Sequence, residues 1–195
     1  MQDDIEVTVA DALALAELAA GFRTWPKPAA LFEGFARRAQ AGDVVVLVAR
    51  IGGVVAGYCL VEWRSSYPPF AAADVPEIVD FNVLSDQQRQ GAGRALMDEA
   101  ERIAAGRSDT VGLRVGLYAA YGRAQQLYVR RGYVPDGAGL TVDGAAVPPG
   151  STIVLDDEPV LALTRSLRLP DSQRVRPVGW HPAGQRDAGP KRPAG

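Results

Sequence analysis

The stretch that most constrains this fold is residues 76–94, PEIVDFNVLSDQQRQGAGR, because a strand pattern and a helix pattern meet within it. Apolar and polar residues alternate over positions 79–83, as in a strand with two unlike faces. From Ala92 the apolar spacing becomes helical, and Gly91 and Gly93 stand at the helix entrance. Glycines let a ligand approach the backbone, and the first N–H groups of a helix lack internal partners. The stretch therefore predicts a strand, an anion-binding loop and a helix, with phosphate as the usual anion.

Three kinds of phosphate-binding loop have two glycines at a helix entrance. A nucleotide P-loop needs Gly-Lys-Ser/Thr, but here Arg94 and Ala95 follow Gly93. A dinucleotide-binding turn needs a third Gly or Ala where Leu96 stands, although Asp109 lies at a tolerable distance for a ribose contact. The third kind is the loop that binds acyl-coenzyme A. The loop residues alone leave the choice open.

Two separate segments support the third kind of loop through a family resemblance. The pattern Gln/Arg-x-x-Gly-x-Gly/Ala resembles the pyrophosphate loop of the GCN5-related N-acetyltransferase (GNAT) superfamily, and Gln88, Gly91 and Gly93 occupy its defining positions. Residues 124–133, AQQLYVRRGY, resemble the A-x-x-L-Y-x-x-x-G-F/Y segment that lies downstream in the same superfamily. A helix and one strand separate the two segments, as in that superfamily. The resemblance extends over about residues 5–167.

This resemblance implies an α/β (α+β) fold with a single GNAT-like domain. In that fold a mixed, mostly antiparallel central sheet is flanked by helices, and the middle strands diverge to admit the pantetheine arm of the cofactor. We expect the domain to span residues 1–169. Residues 170–195 are rich in proline, glycine and arginine and have no apolar period, so we expect a disordered, basic tail there.

The remaining patterns predict a simple order of elements. Strands are expected at 5–9, 44–49, 54–63, 111–115 and 160–167. Helices are expected after Asp11, over about 29–40, from Ala92 to a stop at Gly106 and Asp109, and over about 120–131. Residues 65–70 contain two prolines and read as a loop. Residues 137–149 read as a Gly- and Pro-rich excursion before the last strand.

Composition excludes several functional classes. The formal net charge of −2 argues against a nucleic-acid binder, and no apolar run approaches the ~18 residues of a membrane span. The N-terminus lacks the apolar region of a secretory signal, so we expect a cytoplasmic protein. The single cysteine, Cys59, and the single histidine, His181, predict neither an internal disulfide nor a metal site.

The resemblance implies that acetyl-CoA is the acetyl-donor cosubstrate. Backbone groups of the strand would pair with the pantetheine, while loop amides and the helix dipole would attract the pyrophosphate. The expected cofactor-binding residues are Phe81, Val83, Gln88, Arg89, Gln90, Gly91, Ala92, Gly93, Arg94 and Tyr121. Tyr121 is a departure, because many members have an Asn there that bonds the pantetheine. Either the Tyr121 hydroxyl or another group makes this contact here.

The resemblance also suggests the catalytic residues. Members commonly use the Tyr at position 128 as the general acid towards the coenzyme A sulfur, and a phenol pKa of ~10 is close to the ~8.5 of a thiol. Since the predicted domain has no histidine, the general base is expected to be a carboxylate acting through water. Glu77 aligns with the base of histone-type members, Asp80 lies nearer the strand divergence, and Glu62 is a third candidate. Alternatively, the amine arrives neutral.

These observations predict an N-acetyltransferase that acts on a primary amine, in a small molecule rather than a folded protein, by direct attack in a ternary complex. The acceptor would be selected by residues 22–25, by residues 67–70, by the insert before the last strand and by the acidic run 156–158. That run either attracts a cationic amine or forms a solvated turn. The alternative function is a non-catalytic acyl-CoA sensor with a basic interaction tail. Whether the chain forms a homodimer stays open.

Overall fold

The structure, a computed structural model, describes residues 4–21 and 28–168. The strands in this part of the chain are β1 (Ile5–Val9), β2 (Val44–Ile51), β3 (Val54–Glu62), β4 (Glu77–Val83), β5 (Thr110–Gly116), β6 (Val134–Val142), β7 (Ala145–Ala146) and β8 (Val160–Ser166). They form one sheet in the order β1-β2-β3-β4-β5-β8-β6-β7. The helices are α1 (Ala12–Gly21), α2 (Ala29–Gln40), α3 (Pro68–Ala72), α4 (Ala92–Ala105) and α5 (Gly122–Arg130).

β4 and β5, in the middle of the sheet, form the one parallel pair among the described strands, and they are paired over a short length. β4 pairs with β5 only through Glu77 with Gly112 and Ile78 with Leu113, whereas the other strand pairs are antiparallel. Beyond Ile78 the two strands diverge. The edge of β4 that faces β5 is therefore left without a neighbouring strand for most of its length.

A β-bulge interrupts β4 at the point where this divergence begins. Tyr58 of β3 pairs with Asn82 and Leu60 pairs with Val79, so one β3 residue between them faces two residues of β4. Asp80, the first of those two residues, has a φ of 48°, which is uncommon for a residue other than glycine. The bulge therefore changes the direction in which the side chains of β4 point within the divergent region.

Helices cover the two faces of the sheet and form separate cores. On one face, α4 packs its buried residues Leu96, Met97 and Ala100 against β2, β3 and β5. On the other face, α1 and α2 pack Leu18 and Phe32 against β2 and β3. The α1 helix begins as the sequence predicts, because Asp11 Oδ1 accepts a hydrogen bond of 2.8 Å from the Ala14 N–H.

The predicted single α/β domain with a mixed sheet is confirmed, and two of the predicted elements are wrong. The expected loop at 65–70 contains helix α3, because prolines at its first positions have the φ that a helix needs and lack N–H groups that would be unpaired there. The expected excursion at 137–149 contains β6 and β7, which form a hairpin on β8. Its glycines adopt positive φ values, which lets the irregular strand continue through them.

Candidate active site

The divergence of β4 and β5 opens a cleft of about 940 Å³. Its walls come from β4, the loop before α4, the β5–α5 connection, the face of α5 and the segment before β8. The lining residues with polar or ionisable side chains are Glu77, Asp80, Asn82, Ser85, Gln88, Arg89, Arg114, Tyr118, Tyr121, Arg123, Tyr128 and Asp157. Phosphate-loop residues and catalytic candidates thus line the same cavity.

The loop before α4 has the backbone that an anion site requires. Gly91 caps the helix with a φ of 103°, and the first helical bond runs from the Ala95 N–H to the Gly91 carbonyl. The N–H groups of the three residues 92–94 therefore precede the helical ladder. A Cβ atom on Gly91 would lie 2.8 Å from Ile5 Cδ1, and one on Gly93 would lie 3.3 Å from the Phe81 ring. Both glycines let the helix entrance lie close against the sheet.

The free edge of β4 presents backbone groups to the cleft. The Leu84 N–H donates to the Ala56 carbonyl of β3 at 2.8 Å. Because backbone groups alternate in direction along a strand, the N–H and carbonyl of Val83 point away from β3 and into the cleft. The Gln88 side-chain amide donates to that Val83 carbonyl at 3.3 Å. An extended ligand can pair with this edge as an added strand does.

Arg123 is a cleft residue that the sequence analysis did not select. It lies in the first turn of α5, and its Nη1 donates to Gln88 Oε1 at 2.8 Å. A cation is disfavoured at a helix N-terminus unless an anion or dipole compensates it. An Arg in the first turn of a helix is the one sequence feature that could have indicated Arg123. The contact with Gln88 places this second cation beside the loop that carries Arg89.

Tyr128 lies at the inner end of the cleft with 5% of its surface exposed. Its ring packs against Phe81 at a centroid distance of 6.2 Å and against Tyr133 at 5.8 Å. Burial raises the pKa of the Tyr128 phenol well above its usual value, and Cys59 and Tyr121 raise it further. The phenol therefore holds its proton at neutral pH and has that proton to give.

Asp80 lies on the bulge, and each of its carboxylate oxygens accepts a hydrogen bond. Tyr58 Oη donates to Oδ2 at 2.8 Å, and Asn82 Nδ2 donates to Oδ1 at 2.7 Å. Burial, followed by the nearby Asp80 charge, raises the pKa of the Tyr58 phenol, so this donor stays neutral. The phenol of Tyr58 and the amide of Asn82 thus both help to orient the carboxylate within the cleft.

Glu77 lies where β4 and β5 are still paired, and it is 1% exposed. Arg114 Nε donates to its Oε1 at 2.7 Å, and Ser65 Oγ donates to its Oε2. Arg114 in turn donates from Nη2 to Ser66 Oγ at 2.9 Å. The Glu77 charge is therefore compensated by a guanidinium within a buried hydrogen-bonded network.

A third carboxylate, Asp157, closes one wall of the cleft with two tyrosines. Tyr118 and Tyr121 both donate from their hydroxyls to Asp157 Oδ1, the latter at 2.9 Å, and these bonds lower the pKa of Asp157. The two rings pack edge to face with centroids 5.0 Å apart. A Cβ atom on Gly116 would lie 2.4 Å from the Tyr121 ring, so this glycine provides the space that the ring occupies.

The remaining predicted residues lie away from the cleft or outside the described part of the chain. Glu62 forms an ion pair of 2.6 Å with Arg38 and does not line the cleft. Gln90 donates to the Asp86 carbonyl within its own loop, and Arg94 is exposed on α4. The predicted acceptor segment 22–25 and the predicted tail 170–195, with His181, lie outside the described residues.

The described residues lack the features of a metal site and of a membrane span. Among residues 4–21 and 28–168, no cluster of three or more His, Cys, Asp or Glu side chains has the arrangement of a metal site. No helix in the same residues is both long and apolar enough to cross a membrane.

Known proteins resemble this chain in sequence pattern and in fold. Residues 12–133 match the model of the acetyltransferase (GNAT) family. No curated protein matches the chain by sequence. The identities to solved structures are low, so those structures show the fold alone.

Three of these solved structures illustrate the shared fold. The ribosomal-protein-S18-alanine N-acetyltransferase of Escherichia coli is 16% identical, with a TM-score of 0.59 over 87% of this chain and 98% of that chain. An N-acetyltransferase of Staphylococcus aureus Mu50 is 12% identical, with a TM-score of 0.63 over 85% and 99%. The yncA protein of Salmonella typhimurium, solved with its cofactor acetyl-CoA, is 17% identical, with a TM-score of 0.60 over 86% and 96%.

Proposed function

Because the chain belongs to the acetyltransferase (GNAT) family, we propose that it transfers the acetyl group of acetyl-CoA to a primary amine of a small molecule. Its membership makes it an acetyl-CoA-dependent acyltransferase. The observation that supports the proposal is the single cleft in which the phosphate loop, Tyr128 and Asp80 all lie.

The cofactor is proposed to lie along the free edge of β4. The Val83 backbone would pair with the pantetheine after the Gln88 amide releases the Val83 carbonyl. The pyrophosphate would accept hydrogen bonds from the amides at the start of α4, where the helix dipole favours an anion. Arg89 and Arg123 would add positive charge at this end of the cleft. The thioester would then reach the inner end, beside Tyr128.

The leaving group is proposed to take its proton from Tyr128. As the amine nitrogen bonds to the thioester carbonyl carbon and the C–S bond breaks, negative charge develops on sulfur. Proton donation from the phenol to that sulfur yields the free thiol of coenzyme A. The raised pKa of Tyr128 keeps the phenol protonated at neutral pH, so the proton is present when the thiolate forms, but it also makes this phenol a weaker acid than a free tyrosine.

The base is proposed to be Asp80 rather than Glu77. An acceptor ammonium must lose a proton before its nitrogen can attack, and Asp80 lies in the cleft wall on the divergent part of β4. Protonating Glu77 would instead break its ion pair with Arg114 and leave a partly buried guanidinium uncompensated. Asp80 accepts the proton through a bridging water, since its two oxygens are already oriented by Tyr58 and Asn82.

Direct attack is favoured over an acyl-cysteine intermediate. Cys59 is fully buried, and burial followed by the Asp80 charge raises the pKa of its thiol well above the usual value. The thiolate is the nucleophilic form of cysteine, so this thiol is unreactive. The amine would therefore attack the thioester within a ternary complex.

The experiment that tests this function measures free thiol released from acetyl-CoA with a panel of small primary amines. We expect amine-dependent thiol release, and Tyr128→Phe should lower kcat about 100-fold because the proton donor is lost. Tyr133→Phe is the matched control, since Tyr133 is buried beside Tyr128 but does not line the cleft. Binding of coenzyme A without turnover on any amine would contradict the proposal and support the sensor alternative.

A further inference from the structure

Asp157 is a carboxylate in the cleft wall, and no cationic side chain among residues 4–21 and 28–168 forms an ion pair with it. Both of its hydrogen-bond donors are phenols, and both donate to the same oxygen, Oδ1. In the described part of the chain, Oδ2 has no hydrogen-bond donor and no ion pair reaches Asp157. Because the two bonds lower its pKa, Asp157 is ionised at neutral pH. The side chain is thus fixed through one oxygen and able to receive a cation at the other.

The two tyrosines that fix Asp157 add a second means of recognising a cation. Tyr118 and Tyr121 both line the cleft, and their rings pack edge to face. The planes of the two rings are therefore nearly perpendicular to each other next to the Asp157 carboxylate. A cation near an aromatic ring face is attracted by the ring quadrupole. Gly116 leaves the space for the Tyr121 ring, which indicates that this arrangement is built into the end of β5.

Charge along the cleft separates this site from the cofactor phosphates. Arg89 and Arg123 lie near the loop before α4, where Arg123 contacts Gln88. Arg114 also lines the cleft, but Glu77 compensates its charge. Asp157 is exposed to solvent, and its negative charge makes the position beside it less favourable for a phosphate than the cationic end of the cleft, although water and salt weaken this repulsion. The charge distribution therefore disfavours a cofactor phosphate at Asp157 and favours a cationic group there.

We propose that Asp157, Tyr118 and Tyr121 form a subsite for a second positive charge on the acceptor, so that the preferred substrates are diamines or polyamines. One amino group reacts beside Asp80 while another is held at Asp157 Oδ2. This inference rests on the proposed function, because it specifies the class of amine that this function would use. Asp156 and Glu158 lie outside the subsite. Asp156 Oδ1 accepts a hydrogen bond from the Glu158 N–H, and this bond closes the turn that contains Asp157.

The test compares α,ω-diamines of three to five carbons with the amino alcohols of the same length. After correction for two reactive ends, we expect kcat/KM to be about five- to tenfold higher for the diamine of the best length. Asp157→Asn keeps an oxygen for the two phenols but removes the charge, so it should abolish this ratio. Asp156→Asn, the matched control next to it, should leave the ratio unchanged.

Two results would overturn the subsite. One is a wild-type ratio near one at every length, and the other is a ratio that survives Asp157→Asn. Both leave acetylation of amines intact and so differ from a failure of the proposed function. If no amine is acetylated, calorimetric titration of the same diamines into the protein with bound coenzyme A decides the matter. Binding that Asp157→Asn removes supports the subsite, and absence of binding overturns it.

Discussion

Glu77 and Asp80 are two carboxylates on one strand, three residues apart, and they differ in their position relative to β5 and in the groups that contact them. Glu77 lies where β4 and β5 are still paired, and a guanidinium compensates its charge. Asp80 lies on the bulge beyond that pairing, where phenol and amide groups orient it. We therefore propose a structural role for Glu77 and a chemical role for Asp80. The role of each carboxylate depends on its position relative to the point where β4 and β5 diverge. Residue type alone does not distinguish the two roles.

The largest expected difference between Glu77 and Asp80 is in their contribution to the free energy of unfolding. Glu77→Ala should lower the free energy of unfolding by about 3–5 kcal/mol, because it leaves the partly buried Arg114 without its partner. Denaturant unfolding followed by circular dichroism measures this change. Asp80→Asn is the comparison variant, and we expect it to cost about 1 kcal/mol or less, since an amide can still meet one of the two donors. Equal losses for both variants would contradict the structural role of Glu77.

The second effect is on kcat/KM, and here the substitution of Asp80 should cost more than the substitution of Glu77. Asp80→Asn should lower kcat/KM about 100- to 1,000-fold, because the group that accepts the ammonium proton is lost. Glu77→Gln, assayed at a temperature where it is folded, should lower it less than about tenfold. Initial rates of thiol release at a single neutral pH measure both values. A larger loss in Glu77→Gln than in Asp80→Asn would reverse the assignment.

A smaller effect tests how Asp80 is oriented. Tyr58→Phe removes the donor to Asp80 Oδ2 and should lower kcat/KM about three- to tenfold while costing about 1 kcal/mol of stability. Tyr67→Phe is the matched control, because Tyr67 donates to Asp136 with the same 2.8 Å geometry but lies outside the cleft. It should lose similar stability and keep its rate. Equal rate losses in the two variants would indicate a general effect on folding.

The smallest expected change concerns the acid that complements Asp80. The pKa of Tyr128 is raised, so the phenol stays protonated beyond its usual ~10 and the alkaline limb of kcat moves upward with it. Between pH ~8 and ~10, kcat should therefore fall less than about twofold. A pH series of kcat at saturating amine measures this limb. A marked decline beginning near pH 8 would show that the essential acid is a different group.

Local sequence pattern predicted the elements that we propose to hold the cofactor. The alternation over 79–83, the glycines at the start of α4 and the spacing of α5 each concern neighbours in sequence, so they are visible without the fold. The bulge at Asp80 was not visible, because it arises from how β4 pairs with Tyr58 and Leu60 of β3. Its strained backbone is a property of that pairing.

Other features of the site could not be predicted because they depend on contacts between residues that are far apart in the sequence. Glu77 and Arg114 come together only because β4 and β5 are adjacent, and that contact is what separates Glu77 from Asp80 as candidates. Asp157 was noted as part of an acidic run, but its bonds to Tyr118 and Tyr121 required the segment before β8 to reach the β5–α5 connection. The hairpin of β6 and β7 was missed because glycine and proline are normally depleted in strands.

The measurement that most directly tests the central claim is the pH dependence of kcat for wild-type, Asp80→Asn and Glu77→Gln with one small amine. If Asp80 is the base, the wild-type advantage over Asp80→Asn should be greatest well below the pKa of the amine. It should shrink as the pH rises, because the amine then arrives neutral without help. Glu77→Gln should follow the shape of the wild-type profile. The account is contradicted if Asp80→Asn keeps the wild-type profile while Glu77→Gln shows the advantage that vanishes at high pH.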